Sequence, residues 1–170
     1  MNELEALFRR ITLGVYVVGA AHREQRDAFT AAWVMQVSFE PLLLALSINP
    51  AHASFPLLRE SGAFTVNVLQ QGQLELARQF GTRSGRDVDK LADVQWHPAP
   101  SGAPILDDAL AYFDCEVTAR HESGDHELVV GRVVGGRVLA PDANPLTYAD
   151  TGNMDGSGSL YASFASRGTA

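Results

Sequence analysis

The alternation of apolar and polar residues predicts a short helix and then a series of strands in the first third of the chain. The helix is indicated by apolar residues at helical spacing after Asn2, which can cap it: Leu4, Leu7, Phe8 and Ile11. Runs rich in β-branched and aromatic residues predict the strands: residues 14–20, 28–38 and 42–48. The polar stretch HREQRD after the first strand is typical of a hairpin tip.

The remaining sequence adds two helices and four strands. The helices are predicted over residues 54–59, with Ser54 as the cap, and 72–80, with Gly81 as the terminal glycine. The strands are predicted over residues 63–69, 110–121, 127–134 and 137–139, with turns at Gly124-Asp125 and Gly135-Gly136. Many short strands with few short helices favour a mainly β fold, a barrel with helical insertions.

Composition narrows the class of protein. A chain of 170 residues with 46% hydrophobic and 19% charged residues predicts one globular domain rather than a disordered chain. The net charge of −7 argues against nucleic acid as a partner, because a duplex-binding surface needs a basic face. The longest apolar run, residues 41–48, is too short to span a membrane, so no membrane partner is expected. The N-terminal residues lack a signal region, and the expected location is the cytoplasm.

Two segments in the first half carry candidate binding residues. Residues 27–38, DAFTAAWVMQVS, combine small side chains with a threonine and a tryptophan, which lets a planar ligand approach the backbone. The same pattern also fits a barrel strand with small inward positions. Residues 47–54, SINPAHAS, place Asn49, His52 and Ser54 where a strand ends and a helix begins. Free N–H groups at a helix start can bind phosphate, although ordinary capping accounts equally well for these residues.

Two further segments carry charge or an imidazole. The segment GTRSGRDVDK holds three basic side chains within eight positions: Arg83, Arg86 and Lys90. Such groups can clamp an anion, and a solvated surface loop is the alternative. The turn Gly124-Asp125 places His126 at the mouth of a strand, where it can contact a substrate or simply lie on the surface. No metal site is expected, since His and Cys do not cluster at metal spacing, and Cys115 is expected to be a buried apolar residue.

The ordered set of segments resembles the flavin reductase-like family, the FMN-binding split barrels, over about residues 8–150, and the flavoredoxin and short-chain flavin reductase branch in particular. The segments that carry the resemblance are GVYVV, TAAWVMQVSFEPLLLALSIN, FTVNVL, LARQFG, AYFDCEV and GDHELVVGRV. Ala32 and Trp33 stand where many members of the family carry serines, which leaves backbone contacts to the flavin at these positions. The resemblance implies a mainly β, Greek-key split barrel with short flanking helices over residues 1–150. Residues 151–170 are then a tail that is loop-like or packed on a partner subunit.

The same resemblance implies FMN as the cofactor and a homodimer with the flavin near the subunit interface. It assigns cofactor-binding residues by motif position: Thr30, Ala31, Ala32, Trp33, Val34, Gln36, Ser47, Asn49, Ser54, Phe80, Gly81, Arg86 and Lys90. Within this set, Arg86 or Lys90 adds charge at the phosphate, and Phe80 and Gly81 border the flavin. His126 is assigned the catalytic position, facing the nicotinamide or the substrate.

The predicted activity is an NAD(P)H:flavin oxidoreductase that passes electrons to a flavin or to a small-molecule acceptor. The sequence leaves two alternatives open. One is a non-catalytic FMN electron carrier that works with a redox partner protein. The other is an enzyme that retains FMN and reduces a small enone or a metal complex.

Overall fold

The computed structural model describes residues 3–161 and contains nine strands, three α-helices and two 3-10 turns in that range. In chain order the elements are α1 (Glu3–Phe8), β1 (Tyr16–His22), β2 (Gln25–Ala31), β3 (Val34–Phe39), β4 (Leu42–Ile48), α2 (Phe55–Ser61), β5 (Ala63–Val68), α3 (Leu74–Thr82), β6 (Trp96–Pro98), β7 (Pro104–Leu106), β8 (Ala111–Ser123) and β9 (His126–Val138), followed by the 3-10 turns Tyr148–Thr151 and Ser157–Leu160. The mainly β prediction is confirmed. The predicted cap Asn2 and residues 162–170 of the predicted tail lie outside the described residues.

Seven strands form one antiparallel sheet in the order β2-β1-β5-β8-β9-β4-β3. The edge strands β2 and β3 are joined by only two residues, Ala32 and Trp33. Because consecutive Cα atoms are about 3.8 Å apart, this short connection forces the two edges of the sheet toward each other. The sheet therefore curls into a barrel, and it is split where β2 and β3 meet without pairing in the described sheet. We call the Ala32–Trp33 connection the seam.

Two buried clusters fill and support the barrel. The first contains large side chains from β1, β4, β5 and α2, among them Phe64, Leu46, Ile48 and Leu58. The second lies beneath α3 and includes Phe80 and Leu106. The strand β5 is buried on both faces, since Thr65 and Asn67 are buried as fully as Phe64. Asn67 donates to the carbonyls of Val17 and Pro104 and accepts from the Leu106 N–H, which ties the small β6–β7 pair to the sheet.

Several predicted boundaries are wrong. The strand predicted over residues 28–38 is two strands, β2 and β3, separated by the seam. The strands predicted over residues 127–134 and 137–139 are one strand, β9, and Gly135-Gly136 pair with Asp114 and Phe113 instead of forming a turn. A side chain at Gly136 would overlap with the Tyr112 carbonyl, so this glycine serves close strand packing.

The helix boundaries differ in smaller ways. Helix α3 continues through the predicted terminal Gly81 to Thr82. Helix α2 extends two residues beyond its predicted end, to Ser61, and is followed by Gly62, which adopts a left-handed φ of 65° that glycine tolerates. Ser54 occupies the predicted N-cap position and its carbonyl accepts the Leu58 N–H, but its side chain makes no capping bond.

The end of the described chain packs against its beginning. The Phe8 ring stacks on Tyr161 with ring centroids 5.5 Å apart, and the Arg9 guanidinium lies over the Tyr148 ring. Tyr161 therefore lies against the end of the first helix, and Tyr148 lies against the residue that follows it. The predicted domain boundary at residue 150 stays a prediction.

Candidate functional site

The topology brings Trp33 and His126 together across three strands. Strand β4 lies between β3 and β9, with Val34 opposite Leu46 and Ile48 opposite Glu127. The Ser47 N–H donates to the Trp33 carbonyl at 3.0 Å, so the seam is anchored to the end of β4. As a result the rings of Trp33 and His126 meet with centroids 4.9 Å apart and an interplanar angle of 53°. These two rings form one wall of the candidate site.

His126 is held by its neighbour in the turn. The His126 Nδ1 and the Asp125 Oδ1 are 2.8 Å apart, and the imidazole side chain is 21% exposed. This hydrogen bond and the charge of the imidazole lower the pKa of Asp125 below its usual value. Within residues 3–161 the other ring nitrogen, Nε2, has no hydrogen-bond partner. It is therefore available to a bound molecule, and the fixed Nδ1 sets the ring's orientation.

The junction between β4 and α2 contributes a second imidazole. His52 is half-buried, and its ring packs on Phe29 with centroids 4.7 Å apart. Burial lowers the pKa of His52 because it disfavours the charged form, and the nearby Lys90 lowers it further. His52 is therefore a neutral imidazole at neutral pH. Nearby, the Asn49 Oδ1 accepts the Ala51 N–H at 2.9 Å, and the Asn49 amide nitrogen has no hydrogen-bond partner among residues 3–161.

A buried acidic residue engages two of the predicted phosphate ligands. The Asp27 Oδ2 accepts a hydrogen bond from the Ser54 hydroxyl at 2.6 Å. The Asp27 Oδ1 lies 3.2 Å from the Lys90 Nζ, and the Lys90 side chain is only 2% exposed. This buried pair corrects the expectation that Lys90 faces a bound phosphate. Ser54 is fully buried as well, and its hydroxyl proton is directed at Asp27.

The segment of residues 83–90 places Arg86 beside the β4–α2 junction. The Arg86 guanidinium donates to the Ala51 carbonyl at 3.2 Å and is otherwise exposed. A guanidinium carries five N–H donors, so this single bond leaves Arg86 able to bind an anion. Arg83 is also exposed and follows directly on α3.

Some of the remaining predicted residues are accessible around the seam, and others are occupied by contacts within the fold. The Thr30 hydroxyl donates to the Ala77 carbonyl at 2.7 Å and so fastens α3 to β2. Phe80 is fully buried in the second core cluster, and its assignment to the border of the flavin stays a prediction. Gly81 is exposed beside Thr30. The structure leaves the other predicted positions at or near the seam partly or fully accessible: Ala31, Ala32, Trp33, Val34, Gln36 and Ser47.

Two residues of the site were not selected from the sequence. Asp27 lies just before the predicted strand of residues 28–38, so its burial was not predicted. A signal was nevertheless present. Asp27 and Phe29 are two residues apart and therefore lie on the same face of a strand, where a buried acidic residue needs a partner. Lys90, the chain's single lysine, is one candidate for that partner. His52 lies in the candidate segment of residues 47–54, but no local pattern shows its contact with Phe29, because that contact joins two separate elements.

Comparison with known proteins agrees with this fold. The family model described as flavin reductase like domain matches residues 8–157. The reductase subunit HsaB of a flavin-dependent monooxygenase from Mycobacterium tuberculosis is 33% identical over 136 residues, which cover 79% of this chain and 71% of that protein. Diflavin flavoprotein A 1 from Synechocystis sp. is 36% identical over 138 residues, 81% of this chain. The chain spans about a quarter of the length of the diflavin flavoproteins that it matches.

Solved structures show the same architecture. The NADH:FAD oxidoreductase SgcE6 of Streptomyces globisporus superposes with a TM-score of 0.79 at 27% identity, covering 85% of this chain and 86% of that one. An FMN-binding protein from Thermus thermophilus with bound p-hydroxybenzaldehyde superposes with a TM-score of 0.72 at 32% identity, covering 77% and 74% of the two chains. With the family model matching most of its length, the chain belongs to the flavin reductase-like family.

Proposed function

We propose that this chain is an FMN-dependent oxidoreductase that takes hydride from NAD(P)H. The observation that carries the proposal is that three features lie on the same side of the barrel, around the seam. They are the accessible backbone of Ala32 and Trp33, the wall formed by the Trp33 and His126 rings, and the accessible guanidinium of Arg86. Membership of the flavin reductase-like family and similarity to an FMN-binding protein and an NADH:FAD oxidoreductase support the same reading.

The residues present fit a flavin mononucleotide. Ala32 and Trp33 lie outside the β1–β2 and β3–β4 ladders, so their backbone can approach a planar ring closely. Val34, Gln36 and the free amide nitrogen of Asn49 would face the ring and the ribityl chain. Arg86 would bind the phosphate with paired, charge-assisted hydrogen bonds. We propose FMN over FAD because the donor set on this side ends at one guanidinium.

Bound FMN supplies the hydride and electron chemistry, and the chain's own residues supply binding and orientation. His126 would donate or accept a hydrogen bond through Nε2 to the carboxamide of the incoming nicotinamide, while Asp125 holds Nδ1. Trp33 would shield the reacting face from water and keep the imidazole in place through the ring contact. The contribution of both side chains is therefore orientation rather than proton transfer.

We also propose that the chain works as a homodimer. Large apolar side chains on and beside β3 are exposed in the described structure: Trp33, Met35, Val37, Phe39 and Leu42. Phe39 is 86% exposed, which is costly for a large aromatic residue in water. This face adjoins the seam, so a second copy seated there would cover the open side of the flavin site. An interface of this kind would bury about 2,000 Å² or more.

The experiment that tests the proposed function is an anaerobic titration of the purified protein. The protein is loaded with FMN, the visible absorbance of the oxidised flavin is recorded, and NADH or NADPH is added without oxygen. Rapid bleaching at catalytic rates supports the proposal. A protein that binds no flavin overturns it, and FMN that stays oxidised with both nucleotides overturns the NAD(P)H step.

One observation favours a second candidate, a non-catalytic FMN electron carrier. In the diflavin flavoproteins that this chain resembles, the matching segment is only about a quarter of the protein, so there it is one part of a larger chain. A module of that kind would receive electrons from a protein partner. Bleaching by a reduced flavoprotein but not by NADH or NADPH would establish this alternative.

A further inference from the structure

The ion pair between Asp27 and Lys90 is buried and joins three elements of the candidate site. Asp27 belongs to β2, Ser54 precedes α2, and Lys90 ends the segment of residues 83–90. A buried ion pair adds little net stability, since desolvating both charges offsets most of their attraction. Its position at the junction of these three elements suggests that it determines where they lie.

We infer that Asp27 is a positioning residue, which fixes the segment of residues 83–90, and with it Arg86, against the start of α2. The inference rests on the proposed function, because it concerns the same flavin site. It adds a residue that neither the family resemblance nor the sequence assigned to that site.

The contacts of the segment show how the carboxylate would act. Lys90 is held at both ends, because its carbonyl accepts from the Gln79 Nε2 at 2.7 Å while its ammonium meets Asp27. Gly85 lies directly over the Asp27 carboxyl group, and a Cβ atom at Gly85 would overlap with it. The backbone at Gly85 has no left-handed φ, so glycine is needed there for space rather than for conformation. Arg86 follows at once and reaches Ala51.

Two contacts in the same region provide a matched control. The Asp89 Oδ2 meets the Arg26 guanidinium at 3.2 Å, but both side chains are well exposed. The Asp89 Oδ1 accepts the Leu91 N–H, which an asparagine can also do. Asp89→Asn therefore removes an ion pair from the same segment without touching the buried one. Exposed ion pairs of this type contribute little to stability.

The first experiment compares FMN with riboflavin, which lacks the phosphate. Dissociation constants are measured by quenching of flavin fluorescence for the wild type, the Asp27→Asn/Lys90→Met double variant and Asp89→Asn. The double variant removes both buried charges together, so that neither is left unpaired. We expect its dissociation constant for FMN to rise about tenfold or more, a loss of at least about 1.4 kcal/mol, and that for riboflavin to change by less than about twofold. Asp89→Asn should match the wild type with both flavins.

Gly85→Ala is the second variant, because it displaces the segment while both charges remain. It should show the same selective loss of FMN affinity. Equal weakening of FMN and riboflavin in either variant would overturn the inference, since that result indicates a general loosening of the fold. Unchanged FMN affinity in both variants would overturn it as well. A wild type that binds FMN no tighter than riboflavin would overturn the proposed phosphate site and the inference together.

Hydrogen exchange without flavin separates the inference from the proposed function. The N–H groups of Asp87 and Val88 both donate to the Ser84 carbonyl, at 3.1 and 3.2 Å, and report on the order of the segment. In the Asp27→Asn/Lys90→Met variant these two amides should exchange about tenfold faster than in the wild type, while amides of β5 stay unchanged. Asp89→Asn should exchange like the wild type. Unchanged exchange at Asp87 and Val88 would overturn the inference whatever the flavin results.

Discussion

Replacing His126 with alanine tests whether the two-ring wall orients the nicotinamide. The substitution removes the ring contact with Trp33, a type of contact that contributes about 0.5–1.5 kcal/mol. It also removes the hydrogen bond that Nε2 can make, which contributes about a further 0.5–1.5 kcal/mol. If both contacts stabilise the transition state, their loss raises its free energy by about 1–3 kcal/mol. The value of kcat/KM for NAD(P)H then falls by about 5- to 150-fold.

The assay is anaerobic stopped-flow reduction of the FMN-loaded protein. His126→Phe divides the effect, since it keeps an aromatic ring beside Trp33 and loses only the hydrogen bond. This variant should lose about 0.5–1.5 kcal/mol of transition-state stabilisation, so that its kcat/KM falls by about 2- to 13-fold. His121→Ala is the matched control, because His121 is an exposed histidine on the neighbouring strand β8. An unchanged rate in His126→Ala would refute the reasoning, and so would loss of FMN from that variant.

Four further outcomes follow from the structure. Arg86→Ala should weaken FMN binding by about 1–2 kcal/mol, measured by fluorescence quenching, whereas Arg83→Ala should not; equal losses would place the phosphate elsewhere. Lys90→Met should lower the free energy of unfolding in urea by about 3–5 kcal/mol, because the Asp27 carboxylate is left buried without its cation, and a loss below about 1 kcal/mol would contradict this. Burial raises the pKa of Cys115 to about 12, so near neutral pH the thiol stays protonated and a thiol reagent should label it only after unfolding; rapid labelling of the folded protein would be the contrary result. Phe39→Asp should convert the proposed dimer to a monomer in sedimentation, and an unchanged dimer would exclude the β3 face as its interface.

Much of the fold could be predicted because its elements have strong local patterns. The strand β4 is a continuous apolar run and was predicted with its observed bounds. The division of residues 28–38 into two strands could not be predicted, because neither Ala32 nor Trp33 is a glycine or proline that would mark a break. The chain leaves the ladder there only because β2 and β3 lie at opposite edges of the sheet. The three-residue strands β6 and β7 are too short to show a period.

The site was predictable where chemistry is local and unpredictable where it depends on strand order. The sequence indicates Arg86 and His126 as single residues with suitable groups. The contact of His126 with Trp33 depends on β4 lying between β3 and β9, which is a long-range property. Lys90 illustrates the opposite error, since a lysine in a polar loop is usually exposed, yet this one lies against Asp27.

The two-residue seam has a consequence for engineering this scaffold. Lengthening the connection at Ala32–Trp33 would let the two edges of the sheet drift apart and would expose their unpaired N–H and C=O groups, which invites aggregation. The hairpin tip at Arg23-Glu24 joins strands already paired along their whole length, so it can accept inserted residues at little cost. Changes of substrate range are therefore best sought by exchanging side chains around the seam, and new domains are best grafted at the β1–β2 tip.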